Sequence, residues 1–227
     1  MHLEDVIDRI GPERFDDACL HARATAPGTG TRSDVSAWPD DLADVPHDCA
    51  DLWHDDRCPI SERLGVALDL YTRMPCYANV MSLKHAYPDL DPIQRDRLWA
   101  FFRDAVAGPD SALADPILYA LWVDFFEDPD TVEDAWSAMT AAETPTSGID
   151  RVLPRAGPVP WASKAPLLQA LLPDPARHDA IHAALVGSAF DVYGQIDDAA
   201  ARDMHVCLTP DADRPNAEAL AERLKHP

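Results

Sequence analysis

The stretch DPILYALWVDFF-EDPD-TVEDAWSAM, residues 115–139, decides the fold class. Each half opens with Asp-Pro, at Asp115-Pro116 and Asp128-Pro129. Asp is a favoured helix N-cap, and Pro suits the first helical turn, where its missing N–H is not needed. Apolar residues then recur three and four apart, as at Leu121 and Phe125 or at Ala135 and Met139. That spacing lays them along one helical face. The stretch therefore reads as two helices joined by a tight turn, and it sets the expectation of an all-α chain.

The same pattern extends outward in both directions. Leu3, Val6, Ile7 and Ile10 form a stripe that Gly11-Pro12 interrupts, and a second short helix follows to near Ala24. From Ser61 the period returns, with Leu64, Ala67, Leu68 and Tyr71 on one face until Pro75. A helix over Tyr77–Ala86 ends before Pro88. Asp91-Pro92 opens another, which Gly108-Pro109 closes. Later helices are expected over Ser163–Leu172, over Ala176–Phe190, from Asp197 or Asp198 to Leu208, and over Asn216–Lys225. No run of Val, Ile and Thr alternates with period two, so no strand is expected. Two stretches lack sustained periodicity: 25–60 reads as an irregular loop with room for one helical turn at Val45–Trp53, and 143–160 is rich in Pro and Gly. The chain reads as one all-α domain, 1–227, in which 143–160 would join lobes 1–142 and 161–227.

Three Asp-Pro signals, at Asp91, Asp128 and Asp174, precede similar patterns. A shift of 46 residues sets Leu121 on Leu167, Phe125 on Leu171 and Phe126 on Leu172. It also sets Ala135 on Ile181, Ala138 on Ala184 and Met139 on Leu185. An apolar helix, an Asp-Pro turn and a second helix with alanines on its inner face resemble HEAT repeats, over Ser82–Leu208. The resemblance implies stacked helical hairpins, or failing that an irregular multi-helix bundle, that bind partners along one surface. It names no partner.

The chain has 227 residues and a formal net charge of −21. Such acidity repels phosphate backbones and anionic membrane surfaces, so neither nucleic acid nor a membrane is an expected partner. It suits a basic protein partner. It also has a compositional reading, in which a GC-rich genome or salt adaptation favours Asp. The five cysteines, Cys19, Cys49, Cys58, Cys76 and Cys207, are odd in number and irregular in spacing. With a charged, amphipathic opening and no long apolar run, they point to reduced thiols and a cytoplasmic protein.

Candidate chemistry is sparse. His47, Cys49, His54 and Cys58 lie within twelve residues and offer the ligand types that zinc prefers, but they contain no Cys-x-x-Cys pair. His178 and His182 lie four apart on one expected helix, in geometry that suits zinc or iron. His182 also occupies the slot that Trp136 fills in the repeat comparison, which favours packing. Asp40-Asp41-Leu42-Ala43-Asp44 matches the Asp-Asp-x-x-Asp pattern of terpene synthases, but Pro39 and Pro46 flank it and a solvated acidic loop is the stronger reading. Trp122, Trp136, Phe125 and Phe126, at helical spacing, read as core. No nucleophile elbow or glycine-rich phosphate loop is present. The sequence thus points first to a non-catalytic, protein-binding or regulatory helical protein without a cofactor, either an acidic neutraliser or an accessory subunit for a basic partner. The alternative is a metal-dependent helical enzyme built on the His, Asp and Cys groups.

Overall fold

A computed structural model describes residues 2–25, 38–53 and 60–189. Among them the fold is all-α, with eleven α-helices and no strand. They are α1 (Leu3–Ile10), α2 (Pro12–Thr25), α3 (Val45–Trp53), α4 (Ile60–Arg73), α5 (Tyr77–Ala86) and α6 (Pro92–Ala107). There follow α7 (Ser111–Ala120), α8 (Val132–Met139), α9 (Thr146–Val152), α10 (Trp161–Leu171) and α11 (His178–Ala189). No described helix is long and apolar enough to cross a membrane. The helices expected over residues 197–208 and 216–225 lie outside the described residues.

The chain forms two compact units, one ending at Ala120 and the other beginning at Leu121. In the first, α1 stops at Gly11, whose φ of 96° is the left-handed backbone that glycine adopts freely. The Gly11 amide donates to the Ile7 carbonyl at 2.9 Å, and Pro12 starts α2. Val6, Phe15, Ala18, Ala22, Leu42, Val45, Leu70 and Met74 pack into one apolar cluster. Arg23 fastens this cluster from outside. Its guanidinium donates to the Thr72 carbonyl at the end of α4 and pairs with Asp110 at 3.2 Å. Arg95 does the same for the 3₁₀ turn Tyr87–Asp89, with donations to the carbonyls of Leu90 and Pro88 and a cation–π contact 4.7 Å above the Tyr87 ring.

Two stretches without sequence periodicity contain helix. α3 falls inside the expected loop 25–60, where the helical turn expected at Val45–Trp53 extends to nine residues and buries Val45 and Cys49, four apart. α9 falls inside 143–160, and its prolines flank the helix at Pro145 and Pro154 without interrupting it.

The second unit begins with a π-type segment, Leu121–Phe125, in which the Phe126 amide donates to the Leu121 carbonyl at 2.9 Å. Leu121, Phe125, Phe126, Val132, Ala135, Trp136 and Met139 are buried. Trp136 joins α8 to α10, since its indole N–H donates to the Ser163 carbonyl at 3.0 Å. The Ser163 hydroxyl completes this contact by donating to the Glu133 carboxylate at 2.6 Å.

The four Asp-Pro pairs do four different things. Asp91 is a full N-cap: its carboxylate accepts from the Gln94 amide, and the Gln94 side chain accepts from the Asp91 amide, both at 2.9 Å. Asp174 accepts from the Ala176 amide and caps a single 3₁₀ turn before α11. Asp128 accepts from the Asp130 amide, and α8 starts three residues beyond Pro129. Asp115 caps nothing. It is buried inside α7, which starts at Ser111 behind Asp110, whose carboxylate accepts from the Ala112 amide at 3.0 Å.

Candidate functional site

The first unit collects titratable side chains that are scattered in the sequence. Cys19 on α2, Cys49 on α3 and Cys76 at the start of α5 share the apolar cluster. Burial pushes the Cys19 thiol up to about 11 and the Cys76 thiol up to about 12. It raises the Cys49 thiol as well, helped by the nearby Cys76 and Cys19 sulfurs. At Cys76 the amides of Asn79 and Ala78 act in the opposite direction, but burial dominates. Such thiols stay protonated, and a protonated thiol is a poor nucleophile and a poor metal ligand. Of the loop group His47, Cys49, His54 and Cys58, the structure buries Cys49 and leaves His47 exposed on the same short helix. His54 and Cys58 lie outside the described residues.

Tyr71 lies fully buried beside this cluster. Its hydroxyl donates to the Leu113 carbonyl, in the turn of α7 that precedes Pro116. The phenol thus ties α4 to α7. Burial first, then Cys76 and Asp115, raise the Tyr71 pKa well above its ordinary value. The bridging proton is therefore retained.

In the second unit Lys164 has no exposed surface. Its ammonium donates to the Ala156 carbonyl at 2.7 Å and to the Gly157 carbonyl at 2.9 Å. This holds the turn between α9 and α10. His178 and His182 do share α11, as their spacing predicts. The His178 ring bonds to the Leu172 carbonyl at 2.9 Å, while His182 is buried. Arg177 beside them pairs with Asp150 and Asp174. Among the described residues, no group of three or more His, Cys, Asp or Glu side chains is arranged to hold a metal ion.

The surface of the second unit has a different character. From Leu121 to Ile149 the chain contains seven carboxylates and no Lys or Arg. Glu127, Asp130, Glu133, Asp134 and Glu143 are exposed, opposite the buried face of the π segment and α8. Trp122 is 44% exposed among them, whereas Phe125, Phe126 and Trp136 are core as expected. Trp122 lies within the π turn, whose i→i+5 bond departs from the 3.6-residue register. An exposed indole within a run of carboxylates without a cation can bind a cationic side chain by both charge and ring face. Trp122 as an outward-facing residue escaped the sequence reading, because a π turn leaves no mark in the apolar spacing.

No protein-family model, curated protein or solved structure matches the chain.

Proposed function

We propose that the chain is a non-catalytic helical protein that binds a basic protein partner, as a neutraliser or an accessory subunit. The single observation that carries this reading is the exposed acidic run Leu121–Ile149 with Trp122 at its start. Charge complementarity would steer the encounter, and the indole would supply apolar and cation–π contact once docked. Seven carboxylates follow one another along this stretch without an intervening Lys or Arg, and five of them are exposed, a charge that would disfavour acidic partners and attract basic ones. In this reading the helical hairpins serve as a stacked, HEAT-like scaffold. The buried, protonated thiols and the internally bonded Lys164 belong to the cores and not to a reaction centre.

The test is capture of partners from the native host at physiological salt, followed by binding and cross-link mapping with the purified pair. A basic partner whose cross-links fall within residues 121–149 is the expected result. Joint substitution of Glu133→Gln, Asp134→Asn and Trp122→Ala should weaken binding about tenfold or more, equivalent to about 1.4 kcal/mol. Cross-links elsewhere on the chain, or unchanged affinity in that variant, would overturn the reading.

A further inference from the structure

We draw no further inference here: the strongest candidate, the cluster of the buried Cys49 and Cys76 with the half-buried Cys19 packed against it in the first unit, carries nothing because nothing among the described residues shows a ligand at these thiols.

Discussion

Two buried polar side chains, Tyr71 and Lys164, have roles that their sequence neighbours do not announce. The Tyr71 hydroxyl serves the Leu113 carbonyl of α7 across 42 residues. Tyr71→Phe keeps the ring and removes only the hydroxyl, so the Leu113 carbonyl loses that donor. Leaving buried polar groups unpaired costs about 1–3 kcal/mol. A urea titration should therefore show the midpoint falling with an unchanged slope. Lys164 binds two carbonyls from a site with no exposed surface. Lys164→Ala should cost about 2–5 kcal/mol, since it opens a cavity and removes the ammonium donor from the Ala156 and Gly157 carbonyls. Lys164→Met refills the volume and removes a buried charge, and should recover part of that loss in the same titration.

Among the helices, the Asp-Pro pairs show how one local signal serves different ends. At Asp91 the capping box is complete, and Asp91→Ala should cost about 1 kcal/mol in thermal or urea unfolding. At Asp128 the carboxylate accepts from the Asp130 amide in a turn, four residues before α8 begins, so Asp128→Ala should cost that helix clearly less. Asp115 is the instructive exception. Ser111, Ala112, Leu113 and Ala114 are compatible with helix, and Asp110 caps them, so α7 starts early and carries Pro116 in its interior. Tyr71, which lies on another helix, donates to the Leu113 carbonyl within it. The repeat comparison divides along the same line. Of its second-helix positions, Ala135 and Ile181 are both buried, whereas Ala138 is half-buried and Ala184 is buried. Its first-helix positions do not, since Leu121, Phe125 and Phe126 are buried but Leu167, Leu171 and Leu172 are only half-buried.

For the whole molecule, charge governs the response to solution conditions. The folded state holds the Cys19 and Cys76 thiols at about 11 and about 12, above the ordinary value of 9.0 that the unfolded chain retains. The Tyr71 phenol is raised in the same direction. Groups with a raised folded pKa contribute fully below the unfolded value, and that contribution is lost as pH climbs toward the folded value. Stability measured by denaturant titration should therefore fall from about pH 9 upward. A variant with Cys19, Cys49 and Cys76 replaced by Ala should show a shallower fall. With a net charge of −21, self-repulsion opposes compaction, so added sodium chloride should raise the calorimetric melting temperature by screening.

The sequence by itself determined the helical class, because apolar spacing and capping residues act within a few residues of chain. It placed α5 and α6 with their ends, the breaks at Gly11, Pro75 and Gly108, and the acidity of the chain as a whole. Tertiary structure alone decided which thiols share a core, which carbonyl of α7 the Tyr71 hydroxyl meets, and that Trp122 faces outward while Trp136 does not. The physical reason is range. Caps and periodicity are local energies written in adjacent residues. The partners of a buried hydroxyl, ammonium or thiol are set by which distant helices pack together, and no spacing along the chain records that.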